Sequence, residues 1–358
     1  MPEIKKITED IDIVEFGQAV ELGEPDLIIM FMTGGGTGDA LRALGKAKIP
    51  VLFLAPPYFN SLAATLNVWG KVRRRATAII AQSLRGLHEA ASAFQLAAHI
   101  RGSRWLIIGR EHELSPRIER LVELNWMLLE RFAKRLPAEA DIAELKSLEV
   151  KEPSEADLKR AAALEVAIRD LVKEKGFDLI TGDCFGMEKE FGCPPCWAYA
   201  RLLSEGITAV CEGHLACALS MLIVQRITGS PPWMANIIGY SDSELKLAHC
   251  TAAISLGKCA LRSHYETGKG VSVSCEMQPG PVTLLRVMPK LKFAFLTEGE
   301  LQPANLGEDN CRTQAKVAVR GRRWIERAAV NHVIVGRGYF AAKAALVLRA
   351  LGIKPIII

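Results

Sequence analysis

Three short apolar runs mark the first third of the chain, and each closes on glycine or proline. Leu27 to Met32 (LIIMFM) runs into TGGGTG, Val51 to Leu54 (VLFL) into APPY, and Trp105 to Ile108 (WLII) into GREHE. Short apolar runs bounded by turn formers read as strands buried on both faces, the pattern of a parallel sheet wound with helices. Ligand loops in such sheets lie at the carboxyl ends of the strands. A helix is predicted next, N-capped by Ser115 with Pro116 in its first turn and an apolar stripe through Ile118, Leu121, Val122, Leu128, Leu129 and Phe132.

From about Pro137 to Pro153 the chain becomes charged and loses its apolar period, so a domain boundary is placed there. A second helix opens on Ser154-Glu155-Ala156-Asp157, a capping-box pattern, and stops near Gly176. Strands follow at Phe177 to Ile180, leading into TGDCFG, and at Ile207 to Cys211, leading into Glu212-Gly213-His214. The next segment, LACALSMLIVQRITG, is apolar on most sides, which requires a buried helix. Beyond Pro231 and Pro232 the runs shorten: Leu245 to Ala248, Val271 to Cys275, Val282 to Val287, Leu291 to Leu296 and Lys316 to Val319. That change predicts a small β barrel or sandwich, before α/β character returns at Val333 to Val335, a helix from about Ala341, and Pro355 to Ile358. The fold class expected is α/β, with wound parallel-sheet domains followed by a smaller, barrel-like β-rich domain. The segments are 1–147, 148–235 carrying the Glu212 motif, and 236–358.

Composition narrows the function classes. The 358 residues carry 45 Lys plus Arg against 40 Asp plus Glu, a net +5 spread along the chain, so a nucleic-acid partner is not expected. The densest basic runs, Lys71 to Arg75 (KVRRR) and Arg320 to Arg323 (RGRR), read first as solvated faces or subunit contacts; KVRRR also admits a phosphorylated substrate. The longest apolar candidate is interrupted by Gln225 and Arg226, short of the roughly 20 residues a membrane span needs. Nine cysteines, an odd number, with no charged-then-apolar leader, predict a reducing cytoplasm rather than a disulfide framework.

Some motifs have a structural reading at least as good as a chemical one. TGGGTG lacks both the dinucleotide-binding spacing and the lysine of a phosphate loop, so a tight strand-to-helix turn near a cleft is expected. Cys193-Pro194-Pro195-Cys196 has the spacing of half a zinc site or a redox pair, but no second such motif completes a zinc site, and two prolines suit a stiff turn. A dispersed set carries the most chemistry: Glu212 after a strand, Asn236 in WMANIIGY, His249 in LKLAHC and His264 in RSHYETGKG. A carboxylate, an amide oxygen and one or two imidazoles suit Mn²⁺ or Mg²⁺ with positions open to substrate oxygens. Scattered histidines also serve as ordinary buried structural groups.

The ordered run GCPPCWAYARLLSEGITAVCEGHLACALSMLIVQRITGSPPWMANIIGY, LAHC, RSHYETGKGVSVSCEMQPGPVTLLRV, CRTQ and NHVIVGRG resembles the L-fucose isomerase and L-arabinose isomerase superfamily, in particular its shorter fucose-isomerase-like members. The likeness covers roughly residues 178 to 340 well and the first half more loosely, through TGGGTG and the Asn60-Ser61 loop. The resemblance implies a cytoplasmic, metal-dependent aldose–ketose isomerase that works through an ene-diol, with a divalent ion, usually Mn²⁺, and a homo-oligomeric assembly, trimer or hexamer. It assigns the catalytic carboxylate to Glu212, a second catalytic and metal-ligand position to Asn236, and further ligands to His264 and, in the arabinose branch, His249. Asn60, Ser61, Asp183, Gln278 and Arg312 are candidates to orient sugar hydroxyls. Trp197, Trp233 and Trp324 are candidates to stack on the sugar, with core packing as their ordinary fate.

Two departures from the family pattern bear on function. The acid of the family's CEGD-like motif is His214 here, and the second acidic ligand is Asn236. Exchanging a carboxylate for an amide beside a dication removes an attraction of about 4 kcal/mol at 4 Å and an effective dielectric near 20, before desolvation. Weaker metal binding is expected, and a non-catalytic carbohydrate-binding relative is the competing reading.

Overall fold

The computed structural model describes residues 27–34, 49–74, 76–109 and 136–358 continuously, together with Gly38, Leu44, the backbone of 121–124, and residues 129, 130, 133 and 134. The chain forms two compact units. One holds the residues up to Ala97, joined by Arg349–Gly352; the other runs from Ala98 to Leu348, joined by Ile353–Ile358.

In the first unit, β1 (Ile28–Phe31), β2 (Val51–Leu54), α1 (Ser61–Val72), β3 (Ala78–Ala81) and α2 (Leu84–Gly102) follow in order, and α2 runs across the division. The three strands pair in parallel with β2 in the centre, in the register Ile28↔Val51 and Val51↔Ala78. All four β2 residues are buried because both edges are paired, and Met30, Phe53 and Val68 share one core. Gly34, in the described part of TGGGTG, has φ +87°, and a Cβ there would stand 2.0 Å from the Phe59 carbonyl oxygen. That turn demands glycine for backbone approach.

The second unit contains β4 (Trp105–Ile108), β5 (Leu121–Leu124), α3 (Glu139–Lys146), β6 (Glu149–Val150), α4 (Glu155–Lys175), β7 (Leu179–Gly182), α5 (Cys184–Phe191), α6 (Cys196–Ser204), β8 (Thr208–Cys211) and α7 (Leu215–Thr228). After them come β9 (Trp233–Tyr240), β10 (Glu244–His249), a 3-10 turn (Ile254–Leu256), β11 (Gly257–Arg262), β12 (Ser272–Met277), β13 (Gly280–Val287), β14 (Phe293–Pro303), β15 (Thr313–Ala318), α8 (Gly321–Ala328), β16 (His332–Arg337), α9 (Ala341–Ala350) and β17 (Lys354–Ile357). A parallel sheet in the order β5-β4-β7-β8 precedes an antiparallel ring β13-β16-β9-β10-β15-β14, which the β13–β14 ladder closes into a six-stranded barrel. The expected order, wound parallel sheets and then a β barrel, is the one found.

Local chemistry explains several boundaries. Ser154 and Asp157 make the reciprocal capping box, and Gly176 ends α4 in the left-handed conformation. α7 is buried at every position from Leu215 to Gln225 because it packs on β7 and β8 on one side and on β13 and β16 of the barrel on the other. One expectation fails: Leu121 and Val122, assigned to a helical stripe, lie in β5, paired in parallel with β4 from Trp105↔Leu121. An open sheet edge recruited this β-competent segment over its local helical period. Ser115, Pro116, Ile118, Leu128 and Phe132 of that expected helix lie outside the described residues. Among the described residues no helix is long and apolar enough to cross a membrane.

Candidate metal centre

Strand β8 delivers the chain to Glu212 at the carboxyl edge of the parallel sheet, where a wound sheet places its ligand loops. Glu212 has φ +68° and is followed by Gly213 at φ +67°. A glutamate in the left-handed region costs roughly 1–2 kcal/mol against its ordinary conformations, so the surrounding packing must impose it. Its N–H donates to Cys184 Sγ at 3.3 Å, and α7 begins beyond His214, whose side chain makes no capping bond. The turn therefore spends its acidic side chain elsewhere.

That side chain meets three imidazoles. Glu212 Oε2 is 3.4 Å from His214 Nε2, while Oε1 is 3.8 Å from His249 Nε2 and 3.4 Å from His332 Nε2. The ligand atoms of Glu212, His249 and His332 all lie within 4.8 Å of one another. Donors about 2.1 Å from a shared ion are about 3.4 Å apart at a tetrahedral angle and at most about 4.2 Å apart, so the 3.4 and 3.8 Å contacts of Glu212 Oε1 fit one ion as they stand. His332 is 1% exposed and neither of its ring nitrogens makes a hydrogen bond. A buried imidazole with two unmet polar atoms is costly unless something binds there. One carboxylate and two imidazoles form a donor set that suits divalent transition ions.

The electrostatics are those of an anion ringed by imidazoles. Burial pushes the Glu212 carboxyl up, but the facing imidazoles of His214, His249 and His332 outweigh it and hold the acid well below the ordinary carboxylate range. His249 is opposed by burial, yet the Glu212 carboxylate raises it to about 9. The Thr251 N–H sits 3.2 Å from His249 Nδ1, so the neutral ring accepts there and keeps its proton on Nε2, the atom facing Glu212, whereas the imidazolium carries a proton on both nitrogens. His332 is lowered, chiefly by desolvation, and stays neutral. An ion taken up at His249 Nε2 replaces the proton there: from the imidazolium one proton is released and the other stays on Nδ1, at the expense of the Thr251 contact.

The sequence-derived candidates divide clearly. Glu212 and His249 converge. Asn236 stands directly opposite His332 in the β9–β16 ladder; because the Ile237 N–H donates to the Asn331 carbonyl, Asn236 and His332 form a non-hydrogen-bonded pair with side chains on one face. His264 is outside the converging trio: its Nδ1 is 3.2 Å from Thr267 Oγ1, its Nε2 is 3.9 Å from Glu266, and its ring meets Phe185 edge-on. It still feels Glu212 and His249; desolvation first, then His249, lowers it to about 4. The residue that sequence reasoning passed over is His332. Its signal lay inside NHVIVGRG, a landmark quoted whole whose histidine went unremarked.

The other candidates have local partners. Asp183 caps α5 by accepting from the Gly186 N–H at 3.0 Å, and Arg312 donates through Nε to the Ser263 carbonyl and stacks on Tyr265. Gln278 lines a separate cleft of about 460 Å³ with Ser255, Lys258 and Glu276. Asn60 and Ser61 belong to the first unit, where Asn60 is left-handed at φ 55° and the Ser61 hydroxyl donates to the Tyr58 carbonyl. Trp197, Trp233 and Trp324 are core residues, each 2% exposed or less. Cys193 and Cys196 are buried free thiols, with Cys193 pushed up to about 12 by burial, and Cys193-Pro194 packs against Gly270, where a Cβ would meet Pro194 Cδ at 2.5 Å. CPPC is a stiff packing turn.

No known family's sequence profile matches the chain. It is similar, distantly and over part of its length, to sugar isomerases. The sulfoquinovose isomerase of Alkalicoccus urumqiensis is 26% identical over 168 residues, 43% of this chain and 38% of that protein. The sulfoquinovose isomerase of Clostridium sp. (strain MSTE9) is 30% identical over 119 residues, 32% of this chain and 25% of that protein. The chain thus spans well under half the length of these curated relatives.

Proposed function

We propose that this protein is a divalent-metal-dependent aldose–ketose isomerase, related in fold and chemistry to the fucose and arabinose isomerases. The observation that carries the reading is the strained Glu212, whose carboxylate faces His249 and His332 with all three ligand atoms within 4.8 Å. Glu212, His249 and His332 would hold the ion, with Mn²⁺ the first to test. A divalent ion supplies Lewis-acid polarisation of adjacent sugar oxygens and a template for them.

The chain's own residues do the rest. Glu212, kept ionised by its imidazole ring, is the group placed to move a proton between C1 and C2 of an open-chain sugar through an ene-diol. His214, 3.4 Å from Glu212 Oε2, holds the carboxylate from its other side. Asn236, beside His332, offers an amide in place of a charge, which leaves the site one negative charge short of an acidic family pattern. The distant similarity to sulfoquinovose isomerases is the reason to test sulfoquinovose beside pentoses, hexoses and their deoxy and phosphorylated forms. A cytoplasmic homo-oligomer remains part of this reading.

The second reading, a carbohydrate-binding relative without catalysis, is favoured by one specific observation, the amide at Asn236. Metal-loaded protein should interconvert at least one aldose–ketose pair from the panel and lose that activity on chelation. A stoichiometric ion with no turnover of any sugar supports the second reading instead. Sugar binding indifferent to chelator abandons the metal in both.

A further inference from the structure

Away from the Glu212 centre, strands β11 and β12 place two cysteines face to face. Cys259 and Cys275 are direct partners in this antiparallel ladder. The Cys275 N–H points away from β11, donating to Thr313 Oγ1 at 3.0 Å, and the Val273 N–H likewise reaches the Cys250 carbonyl. Cys259 and Cys275 are therefore a non-hydrogen-bonded pair, in which Cα atoms approach to about 4.5 Å and the side chains leave one face together. That spacing is at the short end of what a disulfide spans. Both are free thiols: Cys275 Sγ lies 4.0 Å from the Ala253 carbonyl oxygen, and Cys259 Sγ lies 3.6 Å from the carbonyl oxygens of Ile254 and Gly257.

The pair is also asymmetric in access. Cys275 is 3% exposed, whereas Cys259 is half-buried beside the exposed Lys258. Of the nine cysteines only Cys259 and Cys311 are not fully buried. Cys311 also has a thiol neighbour, Cys250, but the β10–β15 ladder ends at His249↔Thr313, so neither of those cysteines lies in it. Cys259 and Cys275, by contrast, are set opposite each other inside a ladder.

We infer that Cys259 and Cys275 form a redox-active dithiol site that takes a low-molecular-weight disulfide as its oxidant and closes reversibly to a cross-strand disulfide. The half-buried Cys259, as thiolate, attacks one sulfur of the reagent RSSR, forming a mixed disulfide and releasing RS⁻. Cys275 then attacks the Cys259 sulfur and displaces the second RS⁻. Two electrons pass from the protein to the reagent, the two cysteine protons go to the departing thiolates, and the sum is two cysteine thiols plus RSSR giving one protein disulfide plus two RSH. The new bond ties the base of the hairpin that carries His264, Tyr265 and Glu266. It needs no ion at Glu212, so it stands apart from the proposed isomerase activity.

The test is to equilibrate the full-length native protein in glutathione buffers of graded oxidised-to-reduced ratio, trap thiols by acid and alkylation, and map peptides by mass. The expected result is one linked Cys259–Cys275 peptide pair, lighter by two hydrogens, that appears as the ratio rises and disappears with dithiothreitol. In Cys275→Ser the mixed glutathione adduct should accumulate on Cys259; in Cys259→Ser neither link nor adduct should form at Cys275. Two free thiols at every ratio would overturn the inference. So would linkage confined to Cys250 and Cys311, or an adduct on Cys275. The wild-type map decides the matter even if a variant fails to fold.

Discussion

Neighbouring strands of the parallel sheet, β7 and β8, each deliver an acid into the loop that starts the next helix, and the two acids do opposite things. Asp183 after β7 stays in extended backbone and accepts from the Gly186 N–H, satisfying its own helix. Glu212 after β8 is left-handed, caps nothing, and turns its carboxylate to three histidines contributed by the loop, by β10 and by β16. A side chain that closes a local hydrogen bond is explained by folding. One that forgoes the local bond, in a strained backbone and beside the unmet imidazole of His332, calls for a ligand.

The largest effect expected from this contrast is on activity. Glu212→Gln should lower kcat/KM on the responsive sugar by about 10²–10⁴-fold, the range of a lost proton-transfer group, and abolish stoichiometric metal. Asp183→Ala should leave turnover within a few-fold; an equal loss at Asp183 would erase the distinction. Next comes pH. His249 is an imidazolium up to about 9 and must lose one proton for Nε2 to bind an ion, so apparent metal affinity should climb about tenfold per pH unit below that value and level off above it. Calorimetry in buffers of different ionisation heat should show a proton released with binding. Affinity that falls as pH rises would reverse the sign of the argument.

Two smaller effects read stability. Asp183→Ala removes a helix cap and should cost about 1 kcal/mol in urea unfolding. Glu212→Gly and Glu212→Gln both remove the carboxylate, but only glycine relieves the left-handed backbone. The glycine variant should therefore be the more stable of the two by about 1 kcal/mol. Equal stabilities would mean that Glu212 stores no strain.

Most of this architecture is legible in local pattern, and the misses share one cause. The capping box at Ser154, the left-handed stop at Gly176 and the buried α7 follow from periods and caps that neighbouring residues set among themselves. The segment at Leu121 was misjudged because an open edge of β4, distant in sequence, decided its state. Glu212 and His249 are visible as residue types at strand ends, whereas His332 sits 120 positions beyond Glu212 and joins the site because β16 pairs with β9, next to β10, and packs on α7, the helix that follows Glu212. His264 has the right chemistry, but its hairpin turns it to Thr267, Glu266 and Phe185. Convergence of ligands is a property of strand register, which residue type and spacing do not carry.

Anomalous X-ray diffraction from crystals grown with Mn²⁺ tests the centre directly. The account predicts one strong peak about 2.0–2.3 Å from a Glu212 carboxylate oxygen and from a nitrogen of both His249 and His332. A peak held instead by His264 and Glu266, or no peak beside Glu212 at saturating ion, would contradict it.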